Sequence, residues 1–337
     1  MSAEPASAAD LDVVCIGNAI VDVLTQTDDA TLMRLGMTKG SMSLIDAEAA
    51  ERLYNELGPG IETSGGSAGN TAAGLASLGA KCAYIGKVRD DRLGEIFAHD
   101  IQAVGVEYST APATAGPPTA RCLILITPDA ERTMNTYLGA CADLGPDDID
   151  EKLVGRAQVT YLEGYLWDRD AAKQAFLKAA RLAHAAGRMT ALTLSDSFCV
   201  DRHRDSFREL ISGHIDILFA NEAEILSLYE VDNFDAALQH AREDCAVAAL
   251  TRSEKGSVVI SGEEVHVVDA DPVSPVIDTT GAGDQYAAGF LHGYTRGKEL
   301  ALCARVGGIA AAEVISHVGP RPQVNLSDLV EARLSAR

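Results

Sequence analysis

The sequence predicts an α/β protein: a largely parallel sheet covered by helices on both faces, with a smaller β-structured unit set into it. Three observations carry this. Short apolar runs of strand length alternate with longer stretches whose apolar residues recur at spacings of three and four. Several of those longer stretches end at glycine, as helix C-termini prefer. Two segments, 17–46 and 106–140, break the alternation with turns and hairpin-like patterning.

In chain order, "LDVVCIG" (11–17), "CAYIGKV" (82–88), "VTYLEGYL" (159–166), "MTALTLS" (189–195), "IDILFAN" (215–221) and "VAALTR" (247–252) read as buried strands. "AGNTAAGLASLG" (68–79), "DAAKQAFLKAARLAHAAG" (170–187) and "FDAALQHARED" (234–244) read as the helices between them. "ARCLILITPDAERTMNTYLG" reads as strand, turn at Pro128-Asp129, strand, and follows the extended "APATAGPPTA". One domain over 11–330 is expected, with the β-unit formed within it by 17–46 and 106–140 and a disordered N-terminus over 1–10.

The chain has 337 residues, is 47% hydrophobic, and sets 28 Lys+Arg against 49 Asp+Glu for a net charge of −21. That field disfavours nucleic acid and anionic membrane as partners, and it also repels nucleotide phosphates. A phosphate site must therefore be built from helix N-termini, backbone N–H groups or a metal ion. The seven cysteines are scattered with no C-x-x-C pair, which argues against a zinc site and a disulfide framework. The N-terminal "MSAEPASAADL" has neither a basic n-region nor an apolar core, and no run has the length of a membrane span, so a cytoplasmic protein is expected.

In open α/β sheets ligands bind beyond the C-terminal ends of the strands, so residues there are the candidates for chemistry. In "DTTGAGDQYAAGF" (278–290), Gly281 and Gly283 flank Ala282 and a helix follows. Successive N–H groups in such a bend favour an anion, and Asp284 beside them suits a base that takes a proton from an attacking hydroxyl. A helix cap with closely packed glycines is the alternative. In "SGGSAGN" (64–70), Gly65 and Gly66 permit close backbone approach, while Ser67 and Asn70 share a helix face. With Asn18 and Asp22 they make a grip on polyol hydroxyls. Asn221 and Glu224 in "NEAE" suit a hydrated magnesium, with ordinary helix capping the simpler reading of these two residues alone. The turn "TRSEKGS" (251–257) could line a nucleotide. "CIGNAIVD" lacks the G-x-G-x-x-G pattern of dinucleotide enzymes.

Together these motifs resemble the ribokinase (PfkB) family of small-molecule kinases, in order, from about residue 12 to 322. The resemblance implies a ribokinase-like three-layer α/β/α fold with a mostly parallel central sheet and a small β-structured lid. It implies ATP-dependent transfer of the γ-phosphoryl group to a primary hydroxyl, with Asp284 as base and the N–H groups of Ala282 and Gly283, in the bend begun by Gly281, as anion hole. Asn221 and Glu224 would organise Mg2+ (through water) and phosphates, and Thr251, Ser253, Gly256 and Thr280 would lie near ATP. Asp278, Thr280 and the backbone of 312–319 match the family's monovalent-cation (K+) loop. Segments 17–46 and 106–140 would be the lid.

Within the family the likeness is greatest to the adenosine kinases, through "TLSDSF", "IDILFANEAE", Ser67 and "ERTMNTYLGA". By that likeness Asn18, Asp22, Gly65, Gly66 and Asn70 would hold a ribose. Arg132, Met134, Leu138 and Tyr165 would lie near the base or the transferring phosphate. Adenosine, phosphorylated to AMP, is the expected acceptor. A sugar of the ribose, fructose or 2-keto-3-deoxygluconate type, or inosine or guanosine, is the rival, and a non-catalytic nucleotide- or sugar-binding regulator the remote one. Thr280, Gln285 and Ser253 depart from the adenosine kinase pattern. A monomer or a homodimer is compatible with these readings.

Overall fold

The computed structural model describes residues 9–129 and 131–336. The expected disordered N-terminus falls mainly on residues 1–8, outside the described residues.

The chain opens with β1 (Leu11–Ile16), β2 (Ile20–Gln26), α1 (Asp29–Arg34), β3 (Met42–Leu44), α2 (Ala47–Glu56) and β4 (Ile61–Gly65). Next come α3 (Ser67–Ser77), β5 (Cys82–Ile85), α4 (Arg92–Ala103), β6 (Glu107–Tyr108), β7 (Ala120–Ile126) and β8 (Arg132–Tyr137). After two 3-10 turns follow α5 (Glu151–Arg156), β9 (Ala157–Glu163), α6 (Asp170–Ala185), β10 (Met189–Thr193), α7 (Ser197–His214) and β11 (Ile217–Asn221). The last part holds α8 (Glu222–Tyr229), α9 (Phe234–Asp244), β12 (Val247–Thr251), β13 (Ser257–Ser261) and β14 (Glu264–Val268). Helices α10 (Ala282–Tyr294), α11 (Leu300–Val314) and α12 (Leu326–Ser335) close the chain.

A nine-stranded sheet runs in the order β14-β13-β12-β11-β10-β9-β1-β5-β6. Every pairing from β6 to β12 is parallel, whereas β12, β13 and β14 pair antiparallel. The sheet is therefore mostly parallel with an antiparallel hairpin added at one edge. Side-chain alternation divides β1 between two cores. Val14 and Ile16 pack beneath α5 to α9, and Val13 and Cys15 face α3, α4, α10 and α11. Both faces are covered, so the parallel strands are nearly continuous apolar runs. This is the ribokinase-like α/β architecture.

A second, five-stranded sheet has the order β3-β8-β7-β2-β4. Its edge strand β4 comes from 61–65, outside the two segments expected to build the small β-unit, and β6 within 106–140 joins the large sheet instead. Ile20, Ala120, Cys122 and Ile124 form one apolar face of this sheet, while Val21, Val23, Leu123 and Leu125 on the other join the core containing Leu32 of α1 and Leu53 of α2. No helix of the described residues is long and apolar enough to cross a membrane.

Candidate active site

The C-terminal ends of β1, β9, β11 and β12 and the N-termini of α3, α8 and α10 converge along one edge of the large sheet. The parallel sheet dictates this, since every strand-to-helix connection leaves at that edge.

Asp284 lies in the first turn of α10, whose N-cap Gly281 adopts φ +80. A side chain on Gly281 would also strike the Pro320 carbonyl at 2.6 Å, so both backbone conformation and packing require glycine. The Asp284 carboxylate accepts from Ser67 Oγ at 2.6 Å and from Asn70 Nδ2 at 3.1 Å. Burial lifts its carboxyl to about 6, and the two donors oppose the rise. Ser67 and Asn70 do share one face of α3, but what they hold in this structure is Asp284. The Ala282 N–H donates to the Thr279 carbonyl at 3.2 Å. Among the described residues nothing accepts from the Gly283 N–H, and Gly283 is exposed with open space beside it. Of the two N–H groups expected to form the anion hole, only that of Gly283 is free here.

The glycine pair of "SGGSAGN" has its vacated space filled by protein. A Cβ on Gly65 would sit 2.4 Å from Asp22 Oδ2, and one on Gly66 (φ +83) would sit 2.2 Å from the Asn18 carbonyl oxygen. These glycines thus let β2, β4 and the end of β1 close upon one another, where the sequence suggested close approach of backbone to ligand. Asp22 is buried, and burial lifts it to about 6, with Arg321 and Arg132 opposing and Asp284 adding.

Sequence reasoning missed Glu163, which ends β9 at 1% exposure. Its carboxylate accepts from Asn18 Nδ2 at 2.7 Å, Asn18 N at 3.3 Å and Ala68 N at 2.8 Å, tying the end of β1 to the start of α3. Burial raises it to about 7 against those bonds. The signal was a lone charge closing the apolar run "VTYLE".

Asp278 and Arg132 are paired with each other. Asp278 accepts from the Thr280 N–H at 2.9 Å, the Gly319 N–H at 2.9 Å and Arg132 Nη1 at 2.6 Å. Although burial works upward, these partners hold its carboxyl below the usual range. Three of the roughly four lone-pair directions of this carboxylate are thus taken by protein donors. Arg132, placed by the resemblance near the base or the phosphate, is 8% exposed and spends one arm on Asp278; its Nε and Nη2 are buried without a partner.

Asn221 and Glu224 realise the capping alternative. The Asn221 side chain accepts from the Glu224 N–H at 2.9 Å, and the Glu224 carboxylate accepts from Asn221 N at 2.9 Å and Nδ2 at 2.6 Å. Glu224 is buried, which lifts it to about 7. Thr251 pairs with Asn221 across β12 and β11, so the turn after β12 adjoins this cap. In that turn Ser253 holds φ 51, a left-handed conformation that glycine adopts more readily, and Gly256 (φ +80) abuts the Val268 carbonyl. Among the described residues no cluster of three or more His, Cys, Asp or Glu could hold a metal ion.

A cavity of about 310 Å3 is lined by Asn18, Leu138 and Tyr165 among others. Met134 lies outside it, packed on the apolar face of the second sheet.

The whole arrangement has close counterparts. The adenosine kinase of Sinorhizobium meliloti is 55% identical, with a TM-score of 0.88 covering 97% of this chain and 100% of that one. A probable sugar kinase protein from Rhizobium etli CFN 42 is 52% identical, with a TM-score of 0.89 covering 97% and 99%. The adenosine kinase of Saccharomyces cerevisiae is 28% identical over 330 residues, 91% of this chain and 96% of that protein. The model of the pfkB family carbohydrate kinases matches residues 40–325, which take in the α3 start, the cap of α8 and the glycine turn that presents Asp284. The chain therefore belongs to the pfkB family, as a kinase that transfers phosphate to an alcohol group.

Proposed function

We propose that the protein phosphorylates the 5′-hydroxyl of adenosine with Mg-ATP, giving AMP and ADP. The observation that carries this is Asp284, held by Ser67 and Asn70 at the start of α10 next to a free Gly283 N–H. The acceptor oxygen bonds to the γ-phosphorus as the bond to the β-phosphate oxygen breaks, and Asp284 receives the hydroxyl proton. The Gly283 N–H and the α10 N-terminus stabilise the charge on the transferring group. Asn18 and Asp22 face the ribose, and Leu138 and Tyr165, in the 310 Å3 cavity that Asn18 also lines, face the base. Thr251, Ser253 and Gly256 line the nucleotide side.

Magnesium bound with ATP supplies charge neutralisation for the phosphates. Glu224, with each oxygen already accepting from Asn221, fits contact through water and not direct coordination. The second sheet is read as the lid over the acceptor, excluding water. Purine salvage in the cytoplasm, by a monomer, goes with this reading, which the 55% identical adenosine kinase supports.

A sugar acceptor is the second reading, favoured by Thr280 and by the likeness to a probable sugar kinase. ADP release with Mg-ATP against adenosine, inosine, guanosine, ribose, fructose and 2-keto-3-deoxygluconate separates them. Turnover on micromolar adenosine with silent sugars supports the proposal; preference for a sugar overturns it and leaves Asp284 as base.

A further inference from the structure

The loop after α11 is fastened to the glycine turn at successive residues. Gly319 N–H donates to Asp278, and Pro320 accepts from the buried Gln285 Nε2 at 3.0 Å while packing against Gly281. Gln285 Nε2 also donates to the Asn70 carbonyl at 3.0 Å, and its bulk is admitted because Gly74 of α3 has no side chain. The next residue, Arg321, is thereby delivered to the acceptor side with little freedom. Its Nη1 is anchored on Asp100 at 3.2 Å, its Nε donates to Asn70 Oδ1 at 3.4 Å, and its Nη2 is buried without a partner.

A guanidinium has donors only, so it obliges Asn70 to turn its carbonyl toward Arg321 and its NH2 toward Asp284. We propose that Arg321 is a positioning residue of the acceptor site: it fixes the amide of Asn70 so that it donates to Asp284, and with one arm on Asp100 it keeps a buried, unpartnered Nη2 on the side of Asp22. The inference rests on the kinase reading above and adds a residue beyond the family motifs. Its second half follows from the charges around the two carboxyls. Arg132 and Cys122 face them from the second sheet, Tyr161, Glu163 and Tyr165 from β9 and the turn after it, and Glu224 from α8. Arg132 is the one cation in that set, and its pair with Asp278 is the shorter, 2.6 Å against 3.2 Å for Arg321 with Asp100. Burial drives Asp22 toward its neutral form and Asp284 adds to this; Arg321 opposes it first and Arg132 after it, so the Arg321 charge favours Asp22 as an acceptor for substrate hydroxyls.

The test uses full-length Arg321→Met, Arg321→Lys and Asp100→Asn with Mg-ATP and adenosine, or whichever acceptor the panel selects, beside thermal melts and calorimetry of adenosine alone. For Arg321→Met the acceptor KM and Kd rise ~10-fold or more while the ATP KM stays within about twofold, and the acid limb of kcat/KM moves to higher pH. Arg321→Lys, which retains the charge, recovers part of the acceptor affinity and keeps the test readable where the Met variant does not fold. Asp100→Asn lowers the melting temperature and spares the pH profile. If Arg321→Met and Asp100→Asn behave alike, with acceptor and ATP terms changed equally and the acid limb unmoved, Arg321 is only half of a structural ion pair and the inference is overturned. An Arg321→Lys protein that folds as wild type and yet matches the Met variant overturns the charge argument. A wild-type protein that turns over nothing in the panel overturns the kinase reading itself, and this inference with it.

Discussion

The Asp278 carboxylate and the Arg132 guanidinium meet at 2.6 Å, both nearly buried, and join the loop before the glycine turn to strand β8 of the second sheet. A cation from one sheet is thus bound to the segment that shapes the anion site of the other. Breaking such a pair from one side leaves an uncompensated buried charge, costing on the order of 3–5 kcal/mol. We expect Arg132→Met to lower the unfolding free energy by about that much, and the Asp278→Asn, Arg132→Met double variant to recover part of it. Denaturant melts of the three variants check this; strictly additive losses would show that the pair contributes no coupling.

Asp284→Asn is expected to keep adenosine and ATP binding and to lose turnover by about 10²–10⁴-fold, the range for removing a general base. Ser67 and Asn70 would still hold the replacement amide or rotate to suit it. Single-turnover ADP formation with parallel calorimetry measures both. Turnover at the wild-type rate would remove Asp284 from the chemistry.

Glu163, Glu224, Asp22 and Asp284 all have folded-state values above their ordinary ones, at about 7, 7, 6 and 6. A raised folded pKa means the native state binds the proton more tightly than the unfolded chain. Stability from these groups is therefore complete below their unfolded values and is lost as pH rises through the folded ones. The ligand-free protein should be more stable at pH 5 than at pH 7.5 as far as these four groups decide it. Glu163→Gln should flatten that slope by on the order of 1–3 kcal/mol between about pH 4.5 and 7. Urea midpoints across that range test it; an unchanged slope would mean Glu163 does not titrate on folding.

Gly66→Ala should destabilise by about 2–4 kcal/mol, because the new methyl meets the Asn18 carbonyl oxygen and the backbone sits at φ +83. Gly283→Ala, at an exposed position with open space, should leave stability within about 1 kcal/mol. Its effect should appear in turnover. Equal melting losses for the two variants would contradict this division of labour.

Much of this architecture is written locally. The runs 189–195, 215–221 and 247–252 became β10, β11 and β12 because buried parallel strands need unbroken apolar character, and 234–244 became α9 at the residues read. The edge hairpin of β13 and β14 was not among the strands read: β13 is a buried run of only five residues, and Val265 and Val267 on the outer strand β14 are exposed. The site divides in the same way. Asp284 and its glycines stand in one contiguous motif. Arg321 does not: Asp100 and Asn70 lie 221 and 251 positions away, and only the folded sheet edge brings them together. The small residues at 65 and 66 declare that something must approach closely, and composition alone does not distinguish a ligand from Asp22 and Asn18.

Both arginines at the acceptor side enter ion pairs, Arg132 with Asp278 and Arg321 with Asp100. An approaching polyphosphate therefore meets no net positive beacon on a molecule of charge −21. Capture must rely on short-range dipoles and on the metal the nucleotide carries, while the long-range field works against encounter. The association rate for Mg-ATP should accordingly rise with ionic strength, the reverse of the dependence seen where a phosphate ligand is steered in by a basic surface.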